Sequence, residues 1–323
     1  MTTTASSPGN LFLCGEHAVV YGYPAVICSV DRRTHVKVEP AEDGSVTIES
    51  DAFGRLQAHI DGKDVKVDAP NRELDIFASV VESLGIPSGF KATISSDIPV
   101  KSGMSSSTAV LSGLIKALDS AFGLDIALED YYDILLPIQR RVHGGKASGA
   151  EIYSSACGGF HRIEKKGDAM GGVKIDGRDL DIVVADTRVH APTYLTVKYH
   201  IPSLIDRDRK KVFDAFGQIG SITKDVESAL CSNDMCRLGG LLDENQGVLS
   251  GLGVSHPKLD DCIREARGAG ALGAKLSGSG WGGVMFALVE PDTRDAVYDA
   301  LVRTGAQVMK SRIGVEGARG EDV

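Results

Sequence analysis

The run Ser7-Pro8-Gly9-Asn10-Leu11-Phe12-Leu13-Cys14-Gly15-Glu16-His17-Ala18-Val19-Val20-Tyr21-Gly22 constrains this chain more than any other stretch. A short apolar segment ends on a glycine, and an acid and an imidazole follow at once. Such a segment reads as a strand that delivers polar side chains to its end. Taken alone it also admits an ordinary strand and turn, with Glu16 solvated and His17 capping a neighbour. Two further loops rich in glycine and serine, at residues 97–109 and 273–283, favour a shared site instead.

The first of these loops is Asp97-Ile98-Pro99-Val100-Lys101-Ser102-Gly103-Met104-Ser105-Ser106-Ser107-Thr108-Ala109. Pro99 stops a strand, Gly103 lets the backbone turn closely, and the serines stand where a helix begins. Several N–H groups without helical acceptors then point to one spot, which suits a phosphate. N-capping is the commonest use of serine at a helix start. Three consecutive serines exceed what one cap requires. The loop is not the GxxxxGK[ST] type, so a different phosphate-binding architecture is expected. The second loop, Gly273-Ala274-Lys275-Leu276-Ser277-Gly278-Ser279-Gly280-Trp281-Gly282-Gly283, lies between two short apolar runs, where a tight hairpin is the ordinary alternative.

At 323 residues the chain exceeds what one core usually supports, so two closely joined lobes are expected, with the boundary at the polar turn Asp176–Arg178. The lobes are then residues 1–178 and 179–323. A formal charge of −9 argues against nucleic acid as a partner, because phosphate backbones demand a basic face. It leaves a nucleotide substrate open, since backbone N–H groups can hold phosphates locally. The six cysteines form no CxxC pair, so neither a zinc site nor a disulfide framework is indicated. The first residues lack a basic segment followed by an apolar one, and nowhere do about 18 apolar residues run together. A cytoplasmic protein that does not engage membranes is expected.

Along the chain, strands are expected at His35–Val38, Val46–Ser50, Phe90–Ile98 and Leu180–Ala185, then at Ala274–Ser277, Gly283–Leu288 and Gln307–Ser311. Helical spacing covers Asn71–Leu84, a stripe from Val110 to Phe122, and Ile126–Val142, which Gly144 and Gly145 end. Further helices are expected over Lys210–Leu230, Met235–Leu249, Pro257–Ala269 and Arg294–Thr304. The polar tail Gly314–Val323 reads as frayed.

Together the three motifs resemble the signature set of the GHMP small-molecule kinases, the family that includes galactokinase, homoserine kinase, mevalonate kinase and phosphomevalonate kinase. The GEHAVVYG string is most similar to archaeal-type mevalonate kinases. The resemblance runs through Asp31-Arg32-Arg33-Thr34, Ala185-Asp186-Thr187, Asn245-Gln246-Gly247-Val248-Leu249 and Leu252-Gly253-Val254. It implies a two-lobed α+β fold, with an N-terminal lobe built on a ribosomal-protein-S5-like sheet and a C-terminal ferredoxin-like lobe closing the cleft. It also implies ATP and Mg²⁺ as cofactors and a small hydroxy-acid as acceptor.

Carried over position by position, the resemblance places Lys101, Ser102, Gly103, Met104, Ser105, Ser106 and Ser107 around the triphosphate, with the Ser107 hydroxyl on magnesium. Gly278, Ser279 and Gly280 shape the phosphate pocket. Glu16, His17, Thr187 and Ser148 face the acceptor, and Trp281, in place of a family glycine, is expected close to the ligands. Ser105 also replaces a family glycine.

The groups nearest the chemistry depart from the family pattern. Asn10 stands where the family has its catalytic lysine. His143-Gly144-Gly145-Lys146-Ala147-Ser148-Gly149-Ala150-Glu151 replaces HGxPSGxD, so Glu151 takes the place of the catalytic aspartate. Arg140 occupies the position of a magnesium-binding glutamate. Arg140 and Lys146 read either as the solvated basic end of a helix or as cations that neutralise phosphate in place of the missing lysine. The expected activity is ATP-dependent phosphorylation of mevalonate in isoprenoid synthesis. A sister kinase acting on phosphomevalonate or a sugar, and a ligand sensor that lacks catalysis, are the alternatives. Homodimerisation is compatible with such a chain.

Overall fold

A computed structural model of the chain describes residues 1–51, 54–62, 64–68, 75–99, 102–142, 148–167, 169–189 and 191–322. In chain order the strands are β1 (Thr3–Cys14), β2 (Ala25–Pro40), β3 (Ser45–Ser50), β4 (Gly54–Asp61), β5 (Asp64–Val67), β6 (Phe90–Ser96), β7 (Phe160–Lys166), β8 (Ala169–Ile175), β9 (Leu180–Asp186), β10 (Gly273–Leu276), β11 (Val284–Leu288), β12 (Gln307–Ile313) and β13 (Arg319–Glu321). The helices are α1 (Asp75–Leu84), α2 (Ser106–Phe122), α3 (Tyr131–Val142), α4 (Ala150–Cys157), α5 (Thr193–Leu195), α6 (Ile201–Ser232), α7 (Met235–Gly251), α8 (Pro257–Gly268) and α9 (Arg294–Arg303). None of the described helices is long and apolar enough to cross a membrane.

The strands join one sheet whose main path runs β10-β11-β9-β12-β2-β6-β3-β4-β5. Among the described residues only β3 and β6 pair in parallel. β2 is the member that both halves share. Its first six residues, Ala25–Val30, are all buried, as in a strand covered on both faces. From Thr34 to Val38 burial alternates with exposure, as in a strand with one wet face. The first stretch pairs with β7 and, at Val30, with β12, while the second pairs with β6, and β1 runs antiparallel along nearly the whole length.

Two apolar cores flank this strand. One gathers α1, α2 and α3 against β2, β3, β4 and β6, around Val36, Ile48, Phe90, Leu114 and Tyr131. The other gathers α6, α7 and α8 against β9, β10 and β11, around Val184, Phe216, Leu242 and Phe286. α2 is buried over most of its circumference within the first core, against β1, β2 and α4. Gly113 allows that, because a Cβ there would stand 3.2 Å from Val36 Cγ2.

Most expected elements are present with shifted ends. α6 begins at Ile201 rather than Lys210, and Asp208 inside it has φ −151° and ψ 75°, a kink that interrupts the periodicity near the expected start. The hairpins β4–β5 and β7–β8 were not anticipated. Leu74, at the start of the stripe expected for α1, and the helix-ending Gly144 and Gly145 lie outside the described residues.

The tail expected to fray is instead ordered. β13 pairs with β1 through Thr4–Glu321, Ala5–Gly320 and Ser6–Arg319. Buried Arg33 holds the approach to it, donating to the carbonyls of Ser6, Glu316 and Gly317 and to Ser6 Oγ. One planar guanidinium thus satisfies several carbonyls at once, a signal that tail composition does not carry. Arg33→Ala is expected to cost about 2–3 kcal/mol through the orphaned carbonyls. The measurement is a lowered Tm with new tryptic cleavage at Arg319, and an unchanged digest would show that the tail is held by other contacts.

Candidate active site

Three loops meet in one cavity of about 470 Å³ between the two cores. Its wall includes Phe12, Glu16 and His17 from the end of β1, Ser102, Gly103 and Ser105 from the loop before α2, and Ser148 and Glu151 from the start of α4. Gly278, Ser279 and Gly280 close it from the β10–β11 loop, and Val20, Thr193 and Val197 add an apolar side.

Glu16 is 2% exposed and pairs with Lys275 Nζ, whose side chain is wholly buried. The ammonium also donates to the carbonyls of Leu276, at 2.6 Å, and Phe12, at 3.4 Å. Burial raises the Glu16 carboxyl above its usual range, and the neighbouring Lys275 opposes that rise. Glu16 Oε2 has no partner in the protein, so the cleft wall retains an acceptor for a ligand hydroxyl. Lys275, missed as a site residue, was detectable as a charge inside an apolar strand run.

His17 lies two residues after Gly15, whose φ of 103° and tight approach to Ala25 exclude a side chain. His17 itself has φ 62° and sets its Nε2 3.1 Å from the Ser279 carbonyl. Burial lowers its imidazole to about 4, the Ser279 carbonyl opposing and His200 adding to the shift. The neutral ring therefore donates Nε2–H to Ser279 near pH 7 and joins the first loop to the third.

At the phosphate loop, Ser105 is the N-cap residue of α2 with φ 52°, a left-handed conformation that a glycine would adopt freely. Its hydroxyl makes no capping bond and instead donates to Asn10 Oδ1 at 3.0 Å. The first i→i−4 bond of α2 runs from Ala109 N to Ser105 O, so the N–H groups of residues 106–108 remain available, as at any helix start. Ser102 Oγ is buried without a partner in the same wall. Gly9 makes the loop's approach to β1 possible, since a Cβ there would meet Met104 O at 2.8 Å.

Other expected site residues are placed differently. Asn10 is 1% exposed behind the cleft surface, and Arg140 sits in the last turn of α3, half-buried and outside the lining set. Ser106 and exposed Ser107 begin α2 beyond the lining residues, and Met104 is buried beneath them. Lys101 and Lys146 lie outside the described residues. Thr187 donates to the Gly283 carbonyl at 2.9 Å and borders a separate small cavity beside Thr304, so its hydroxyl braces the third loop.

Trp281, expected against the ligands, points elsewhere. Its indole N–H donates to Gly253 O at 2.8 Å, and its ring lies 4.9 Å from that of His200. Its φ is 59°, its backbone N–H donates to Val254 O at 2.8 Å, and it is not among the residues that line the cavity. Gly280 beside it accepts no Cβ, which would fall 1.9 Å from Val254 O. Gln246, from the expected Asn245–Leu249 segment, accepts from Leu276 N at 3.0 Å and fixes the end of β10.

The GHMP kinases N terminal domain family matches residues 74–159, and the GHMP kinases C terminal family matches residues 226–307. This chain belongs to the GHMP kinase family. The mevalonate kinase of Thermococcus sibiricus is 33% identical to this GHMP kinase over 100% of this chain and 99% of its own length. That of Thermococcus onnurineus is 32% identical over 100% and 99%. The crystal structure of L. major mevalonate kinase in complex with R-mevalonate superposes with a TM-score of 0.82 at 22% identity, covering 97% of this chain and 96% of that one. The fold expected from the motifs is therefore the fold found.

Two expectations follow for this GHMP kinase. Lys275→Met leaves the Glu16 carboxylate buried without its counter-charge and is expected to lose about 3–5 kcal/mol in denaturant unfolding. Glu16→Gln combined with Lys275→Met should recover most of that, and additive losses would show that the pair is not coupled. For His17, the unfolded chain takes up a proton near 6.5 and the folded chain only near 4. The unfolded state then binds more protons between those values, so stability falls as pH drops through that window, by on the order of 3 kcal/mol. Melting curves of His17→Gln should be flatter than wild type from pH 6.5 to 4 and parallel to it above pH 7.

Proposed function

We propose that this kinase transfers the γ-phosphoryl group of ATP to mevalonate, giving phosphomevalonate and ADP. The observation that carries the reading is the convergence, in one cavity, of the loop that leads into α2, Glu151 and the Glu16–His17 pair. In-line phosphoryl transfer requires positioning, charge neutralisation and a proton acceptor. The N–H groups at the start of α2, Gly103 and the 278–280 loop supply dipoles for the triphosphate. The acceptor's hydroxyl oxygen attacks the γ-phosphorus, the bond to the β–γ bridging oxygen breaks, and Glu151 takes the hydroxyl proton. Glu16 Oε2 and the neutral His17 edge orient the acceptor. The names of the full-length archaeal relatives support mevalonate as that acceptor.

Among the described residues no group of three His, Cys, Asp or Glu side chains could hold a metal by itself. Mg²⁺ does not need such a group, because it keeps waters and phosphate oxygens and takes one or two protein ligands. The Ser107 hydroxyl is the protein oxygen that would hold it, and the ion would neutralise phosphate charge. We assign residues 1–178 and 179–323 as the two lobes, a division that the two apolar cores support even though the sheet runs through both.

A sensor reading draws on Asn10, which brings no charge to the phosphates. Turnover of mevalonate, phosphomevalonate and galactose, measured beside ATP binding, separates the readings. We expect Mg²⁺-dependent turnover of mevalonate and a fall of about 10²–10⁴ in kcat for Glu151→Gln, with ATP affinity little changed. ATP binding without turnover of any acceptor would favour the sensor, and full activity of Glu151→Gln would remove that carboxylate from the reaction.

A further inference from the structure

Asn10 lies where three elements touch. Its backbone N–H donates to Met104 O at 3.1 Å, its Oδ1 accepts from Ser105 Oγ at 3.0 Å, and its Nδ2 stands 3.5 Å from Ser155 Oγ. Ser155 is one helical turn beyond Glu151 on α4, and residues four apart share a helix face. Ser7, on the same strand as Asn10, donates to the Ser155 carbonyl at 2.9 Å. β1 is thereby fastened to the loop that begins α2 and to the helix that carries Glu151.

We infer that Asn10 is a positioning residue: its buried amide holds left-handed Ser105 with one end and the Ser155 turn of α4 with the other, fixing the phosphate-binding end of α2 relative to Glu151. This rests on the kinase reading above for its catalytic half only. A left-handed non-glycine residue persists where its surroundings over-determine it, and the Asn10 carbonyl is the side-chain partner that Ser105 has. An amide suits the task because it accepts at one atom and donates at the other, whereas a lysine has no acceptor for the Ser105 hydroxyl. Asn10 does not reach the cleft surface, so it acts through Ser105 and Ser155 rather than on phosphate.

The test is a double-mutant cycle on the full chain, reading the Kd of a fluorescent ATP analogue and, separately, kcat with mevalonate. Asn10→Ala is expected to weaken nucleotide binding about tenfold and to lower kcat about tenfold, each the equivalent of roughly one net hydrogen bond. Ser105→Gly removes the need for a brace, since glycine adopts the left-handed conformation freely. In the Ser105→Gly background, Asn10→Ala should therefore leave the Kd within about threefold while kcat stays low, because the link to Ser155 is still cut. Asn10→Ser, which retains one small hydroxyl, covers the case in which the alanine variant does not fold, and it should fall between. If Asn10→Ala lowers kcat with the Kd unchanged, Asn10 acts on the reaction directly and the inference fails. It fails equally if Ser105→Gly leaves the Kd penalty intact. If wild type turns over no acceptor, the kinase reading falls, and the Kd half of the cycle still decides whether Asn10 braces Ser105.

Discussion

The ion pair between Glu16 and Lys275 is the contact on which the cleft depends. Glu16 follows the strand that opens the chain, and Lys275 lies in β10, 259 residues later, so the pair ties the end of β1 to β10 at the wall of the cavity. Desolvating both charges is expensive, and the lysine offsets that cost only because it also reaches two backbone carbonyls. The arrangement leaves one carboxylate oxygen of Glu16, a residue that lines the cleft, buried without a partner in the protein. A scaffold contact and a ligand acceptor are therefore the same side chain.

Around that anchor the loops brace one another through backbone groups more than through charge. His17 reaches the Ser279 carbonyl, Thr187 reaches that of Gly283, and Ser277 accepts from Phe12 N at 2.9 Å. The glycines are required where chains pass without room for a Cβ, as at Gly9 against Met104 and Gly280 against Val254. Neutral hydrogen bonds in a buried setting give fixed geometry at modest individual strength. Such a cavity can hold a polyanionic nucleotide in an acidic protein, because local dipoles rather than net charge face the phosphates.

Much of this was legible in the sequence. The three loops and the α2 stripe follow from motif spacing and periodicity, and the grouping of Glu16, His17, Ser105 and Glu151 in one site follows from the family resemblance. Features decided by distant partners were not legible. The tail reads as frayed from its own composition, yet Arg33, nearly 300 residues away, holds its carbonyls. Trp281 reads as a ligand contact from its motif position, yet a positive φ turns its ring toward His200 and Gly253. Asn10 reads as a lost charge, and only the fold reveals that its amide meets a second departure from the family pattern, Ser105. The start of α6 was misplaced because periodicity breaks at Asp208, where the backbone leaves helical geometry.

That same helix has a mechanical meaning for the cleft. Thr193 and Val197, which form part of the wall, lie on α5 and on the π-helical turn Thr196–His200 that leads into α6. α6 is anchored in the core on both sides of the Asp208 kink, by Ile201 before it and from Val212 onward after it. The π-turn and the kink are the places where helical geometry is interrupted, and Ile201 between them pins this segment to the core that also holds Phe216, Ile219 and Val226. Its stiffness is set by the Trp281–His200 contact and by the His200 bond to Leu252 O at 2.9 Å, which act as a latch from the neighbouring loop and helix end.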